Sequence, residues 1–166
     1  DLESVADSVG SFINSNGLKF HHSGHLQANA AHAADQLGIS RDSTTTMPLV
    51  PILDYPKLFA PIDIGIVPLN DVQFNHAKSF IKGLEYVAAG VPFIASYSPE
   101  YQYLADAGVG RIAKTPEEWK YHLKELLDPN MRKDEAMVNY EVVKEQFSME
   151  KRGFDWNEVM EKISAL

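Results

Sequence analysis

Apolar positions along the chain follow two rhythms, and their alternation predicts the elements. Leu2, Val5, Val9, Phe12 and Ile13 recur at helical spacing and stop before Asn16-Gly17. Leu18 to His22 read as a short strand, and His25 to Leu37 as an Ala-rich helix that stops at Gly38. Thr44 to Ile52 contain an extended segment, and Asp54 to Phe59 a short helix. Asp63 to Val67 form the next strand, whose apolar run of Ile64, Ile66 and Val67 ends at Pro68. A polar loop, Asn70 to His76, leads into a helix from near Ala77 to Gly90. A second buried strand follows, Val91 to Ser96.

Beyond it come a short helix, Glu100 to Ala107, a turn at Gly108 and Gly110, and a brief strand, Arg111 to Ala113. Thr115 with Glu118 three positions later is a capping box for a helix through Trp119, Leu123 and Leu126 to Asp128. Helices from Met131 to Gln146 and from Met149 to Leu166 close the chain, the last interrupted near Gly153. Strands alternating with helices predict an α/β fold with a doubly wound, mostly parallel sheet. Residues 1–166 make one domain, with 148–166 as a terminal helical segment.

The stretch from Asp63 to Ser96 carries the chemistry. In open α/β sheets ligands bind where strands end and helices begin. The helix sorts its residues: Phe80, Ile81, Leu84, Val87 and Ala88 form an apolar stripe, while Lys78, Lys82 and Glu85 recur on another face. Gly90 suits the left-handed position after a helix end, and Pro92 discourages continuation. A helix start offers unbonded N–H groups and a partial positive charge. Lys78 and Ser79 add an ammonium and a hydroxyl there, which makes a diphosphate site. Glu85, two turns on, is placed to accept hydrogen bonds from the paired hydroxyls of a ribose.

The segment KSFIKGLEYVAAGVPFIAS resembles the donor-binding motif of retaining GT-B glycosyltransferases, especially glycosyltransferase family 4. The resemblance covers most of the chain. It implies a Rossmann-like half of a GT-B fold that binds a nucleoside-diphosphate sugar, with Glu85 on the ribose and Lys78 and Ser79 near the diphosphate. Lys82 is a further cofactor-side candidate, and Lys78 the candidate stabiliser of the leaving diphosphate. Many members carry an earlier Glu in this motif, whose place is taken here by Ala77, so its contacts to the transferred sugar do not carry over. The resemblance implies no bound cofactor or metal, and no Asp-x-Asp metal motif is present. It also implies a preceding strand and an N-terminal GT-B domain that supplies the acceptor site. The expectation is therefore the C-terminal part of a larger enzyme, lacking that domain and the first strand. The acceptor is not identified.

Composition narrows the alternatives. The net charge of -8 argues against a general nucleic-acid surface, and the acidic residues gather mainly on helices of the last third. Cysteine is absent, which removes disulfides and thiolate metal sites and fits a cytoplasmic protein. No apolar run approaches the roughly 18 residues of a membrane span.

Each candidate also has a plainer role. Lys82 and Glu85 suit a helix salt bridge, and Ser79 an N-cap. His21, His22 and His25 lie near one another without a carboxylate pair, so a closed zinc site is disfavoured. Trp119 and Trp156 are expected as packing anchors, and Tyr97, Glu100 and Tyr101 as local packing at a strand end. No nucleophile elbow and no dinucleotide fingerprint is present. Two other functions fit the same pattern: a non-catalytic nucleotide-binding or interaction domain, and a sugar-nucleotide epimerase.

Overall fold

The computed structural model describes residues 1–23 and 33–164. Its first element is a continuous helical stretch: a 3-10 turn at Leu2–Val5, a π turn at Ala6–Gly10, and α1 at Ser11–Asn16. Gly17, at φ 62°, ends it in the left-handed conformation. The stretch buries Val5, Val9 and Ile13, the stripe expected from sequence.

β1 (Phe20–Ser23) pairs in parallel with β2 (Thr44–Met47), Phe20 opposite Thr44 and Ser23 opposite Met47. Between them, α2 (residues 33–37) buries Ala33, Ala34 and Leu37. The rest of the expected helix, including His25, lies outside the described residues. β2 is the extended segment expected within Thr44 to Ile52, and it stops at Met47, before Pro48, which cannot donate to a ladder. A 3-10 helix then spans Ile52–Phe59 and accommodates Pro56.

The second sheet is parallel throughout, in the order β3 (Gly65–Val67), β4 (Phe93–Ser96), β5 (Arg111–Ala113). Its helices are α3 (Gln73–His76), α4 (Ile81–Ala88), α5 (Pro99–Asp106), α6 (Pro116–Glu125), α7 (Pro129–Gln146) and α8 (Met149–Ser164). β4 is buried on both faces, as parallel strands require. Ile94 packs with Val9, Trp119 and Leu123 in one core cluster. Its neighbour Phe93 packs with Val87, Tyr101 and Leu104 in the other. The chain is thus α/β with two small parallel sheets, where the sequence suggested one.

The caps behave as their chemistry dictates. The Thr115 hydroxyl accepts from Glu118 N (3.2 Å), and the Glu118 carboxylate reaches back to Lys114 N (2.6 Å). The expected interruption at Gly153 does not occur: α8 runs through it, since one exposed glycine costs a helix only about 1 kcal/mol. Trp156 is 68% exposed rather than an anchor, and shares an uncovered apolar strip with Val159, Met160 and Ile163. Trp119 is buried as expected.

Candidate functional site

The helix expected from near Ala77 to Gly90 is shorter, α4 at Ile81–Ala88, and the stretch expected as a polar loop, Asn70 to His76, holds the short α3. α3 ends in tight turns, Ala77 N donating to Phe74 O (3.3 Å) and Lys78 N to Asn75 O (3.2 Å). The backbone restarts at Phe80, whose carbonyl accepts from Gly83 N (2.9 Å). A tertiary contact accompanies the break: the buried Asn75 amide donates to Asn70 O and to the Asp1 carboxylate, both at 2.9 Å. Side-chain bonds of this kind compete with helix continuation.

Lys78 and Ser79 therefore sit in the turn ahead of α4, not in its first turn. Ser79 is exposed and is not the N-cap; that position is Phe80, with no side-chain bond. The expected apolar stripe is also corrected. Val87 and Gly83 are buried, Phe80 and Leu84 are half-buried, and Ile81 and Ala88 face outward. The inward face runs through Gly83 because α4 lies close on β4. A Cβ on Gly83 would stand 2.8 Å from Phe93 Cζ.

The site residues fall into two groups. In the first, Glu85 Oε2 accepts from Tyr55 Oη (2.8 Å) and Lys82 Nζ (2.5 Å), and Lys82 also donates to Tyr55 Oη (2.8 Å). Partial burial works against the Lys82 ammonium, yet bonds to Glu85 and Tyr55 outweigh it and raise its pKa above the usual lysine value. Tyr55 is held edge-on by Phe59, which meets Tyr86 in the same way. Tyr55 and Lys82 line a cavity of about 310 Å³ that reaches Pro68, after β3, and His22, in β1.

In the second group, the Asp1 carboxylate accepts from Asn70 N (2.9 Å), Asn75 Nδ2 (2.9 Å) and Lys78 Nζ (3.4 Å). Asn75 is only 3% exposed. Two uncharged donors and an ammonium thus converge on a carboxylate at the loop after β3, an arrangement matched to anions. Lys78 belongs to this group, and Lys82 and Glu85 to the other; the structure does not place all three on one helix face.

Next to them a cleft of about 320 Å³ opens at the carboxyl ends of β4 and β5, lined by Ser96, Tyr97, Lys114 and Thr115. The Ser96 hydroxyl accepts from Leu69 N (3.0 Å), tying the end of β4 to the loop after β3. Lys114 Nζ stands 4.8 Å from the Tyr97 ring centre, a cation–π contact. Tyr101 packs against Phe93 as local support, and burial pushes its hydroxyl up to about 12. A hollow of about 810 Å³ lies by Gly90, Pro92, Arg132 and Met137, at the amino end of β4. Ligands of such sheets bind at the opposite end, so this hollow is not the candidate.

Sequence reasoning missed Tyr55, Asn70, Asp1 and Lys114. Lys114 had a readable signal, since it directly follows a strand. The others meet their partners across roughly 30 to 77 residues of chain, which no local pattern encodes. Among the described residues, no group of three His, Asp or Glu side chains forms a metal cluster, and no helix is long and apolar enough to cross a membrane. Neither a scan of protein-family models nor a search of curated proteins found a match to this chain.

Proposed function

We propose that this chain is the donor-binding domain of a retaining GT-B glycosyltransferase, a doubly wound half that binds a nucleoside-diphosphate sugar. The observation that carries the reading is two polar clusters in the segment after β3, Lys78 with Asp1 and Lys82 and Glu85 with Tyr55, near the strand end where open parallel sheets take their ligands. The KSFIKGLEY motif supplies Lys78, Lys82 and Glu85 in the order of the family it resembles. Glu85 accepts the ribose hydroxyls, exchanging its bonds from Lys82 and Tyr55 for bonds from the ligand. Lys78 and the donors around it face the diphosphate, with Ser79 exposed beside it.

In glycosyl transfer the bond between the sugar's anomeric carbon and the diphosphate breaks, and the electron pair leaves with the diphosphate. Fixed N–H donors and cations lower the cost of that charge. Lys78 is this domain's contribution to that step, and Lys82 is freed to assist once Glu85 turns to the ribose. The acceptor and its binding groups belong to a partner GT-B domain, and the cytoplasm is the proposed location. No metal is required of these residues.

Calorimetric titration with nucleoside diphosphates and with the parent nucleosides tests the assignment. Lys78→Ala is expected to weaken diphosphate binding much more than nucleoside binding. Equal affinity of wild type and Lys78→Ala for both ligands, with wild-type binding measurable, rejects the site. Nucleotide binding without sugar transfer by the longer protein selects a binding module. Interconversion of two nucleotide sugars selects an epimerase.

A further inference from the structure

Asp1 is the N-cap of the helical stretch Leu2–Asn16, yet its carboxylate does not cap that stretch. The Ser4 N–H and the Ser4 hydroxyl both donate to the Asp1 carbonyl (3.3 and 2.7 Å), so the backbone already has the form of a helix start. An aspartate in this position ordinarily turns back and accepts from the second or third N–H of its own helix. Asp1 turns instead to the loop after β3. Its Oδ1 accepts from Asn70 N and Asn75 Nδ2, both at 2.9 Å, and its Oδ2 from Lys78 Nζ at 3.4 Å.

The three donors are held by other contacts as well. Asn75 is buried and gives its other amide proton to Asn70 O (2.9 Å), which fixes the amide plane. Lys78 Nζ lies 5.3 Å from the Phe74 ring centre, a second hold on the ammonium. Asn70 contributes a backbone N–H, which cannot swing away. Two uncharged donors that meet on one oxygen, with a cation beside the next, suit a phosphoryl group as well as a carboxylate. The Asp1 side chain is 34% exposed, so it can turn out of this seat without opening the core.

We propose that Asp1 is a built-in occupant of the diphosphate site, a gate with two positions. In the closed position, the one in this structure, its carboxylate fills the seat made by Asn70 N, Asn75 Nδ2 and Lys78 Nζ. In the open position it turns back to cap the helix that begins at Leu2, and a phosphate oxygen of the ligand takes the seat. Each group then has a partner in both positions: the donors bond carboxylate or phosphate, and the carboxylate bonds loop or helix. Two anions cannot share the seat, because like charges in contact repel. The diphosphate therefore binds only the open fraction, and its apparent affinity falls by that fraction. An occupant that fills the seat about nine-tenths of the time weakens binding about tenfold. This inference rests on the reading of Lys78 as a diphosphate ligand.

Calorimetric titration of wild type, Asp1→Asn and Asp1→Ala tests it, with pyrophosphate, UDP and GDP as probes and uridine and guanosine as controls. Asn keeps the capping preference and loses the charge, whereas Ala removes both. Both variants are expected to bind the diphosphate probes about tenfold more tightly than wild type, with nucleoside binding unchanged. The gain is expected to vanish when Lys78→Ala is added. Unchanged or weaker diphosphate binding by folded Asp1→Asn, with wild type binding measurably, overturns the gate and leaves the site assignment standing; Asp1 is then a tether between helix and loop. A gain that survives Lys78→Ala also overturns the gate. Absence of diphosphate binding in wild type and in both Asp1 variants overturns the gate and the site together.

Discussion

Two cations stand at opposite ends of the three-stranded sheet, Arg111 held by two carboxylates and Lys82 by one. Arg111, at the start of β5, is gripped by Glu135 through Nε (2.8 Å) and Nη2 (2.6 Å), and by Glu125 through Nη1 (2.5 Å). Tyr121 also donates to Glu125 (2.8 Å). Only 14% of the Arg111 side chain is exposed. Lys82 has one carboxylate and one phenol, and its side chain is 45% exposed. A planar guanidinium with fixed donors suits a permanent brace between β5, α6 and α7, whereas an ammonium on a flexible stem can let its partner go. The same charge chemistry therefore serves rigidity at the amino ends of the strands and exchangeability at the carboxyl ends.

Arg111→Met should break this contrast most forcefully. It leaves Glu125 and Glu135 beside each other without their cation. Losing the charged donor of these part-buried bonds costs about 1.5–3 kcal/mol, which urea unfolding will register. Nucleoside-diphosphate affinity of the folded protein should stay unchanged. A stable Arg111→Met protein would show that the two clusters are equally dispensable.

Glu85→Gln should give the reverse pattern. Removing a charged acceptor should weaken ribonucleotide binding by about 1.5–3 kcal/mol. The exposed Lys82 pair contributes less than about 1 kcal/mol to stability. A lowered melting temperature with unaltered affinity would make Lys82–Glu85 a structural salt bridge.

Tyr55→Phe removes one neutral donor from Glu85 and should change binding by about 0.5–1.5 kcal/mol, read by the same titration.

pH separates the clusters by direction. The Tyr121 and Arg111 bonds hold Glu125 below the usual carboxylate range. Their stabilisation is complete above the ordinary glutamate value and fades as pH falls through the depressed one. Lys82 is raised, so its contribution is complete below the ordinary lysine value and fades only as pH climbs through the higher one. Arg111→Met should flatten the acid limb of the stability profile, and Lys82→Met the alkaline limb.

The strands were legible because apolar runs bounded by Pro and Gly are local signals, and Asp63–Val67, Val91–Ser96 and Arg111–Ala113 each contain their observed strand. The Thr115–Glu118 cap was legible for the same reason. The break before α4 was not, since Ala77, Lys78, Ser79 and Phe80 include no strong helix breaker; the Asn75 contacts with Asp1 and Asn70 accompany it across the fold. Lys82 and Glu85 were readable as a pair from their spacing. The Arg111 brace draws on residues 14 and 24 positions away, so sequence showed only a charged residue at a strand start.

The two sheets also differ in when they form. In the larger one, β3, β4 and β5 are consecutive in the chain and adjacent in space, each reached through short helices. Little chain entropy is lost in closing such loops, so this part is expected to assemble early. The β1–β2 pair has two strands among the described residues, and such small sheets are marginal alone. The expected order is β3–β5 first, with β1 and β2 docking afterwards. On partial unfolding, the Glu85 helix should then outlast Tyr55's grip on it.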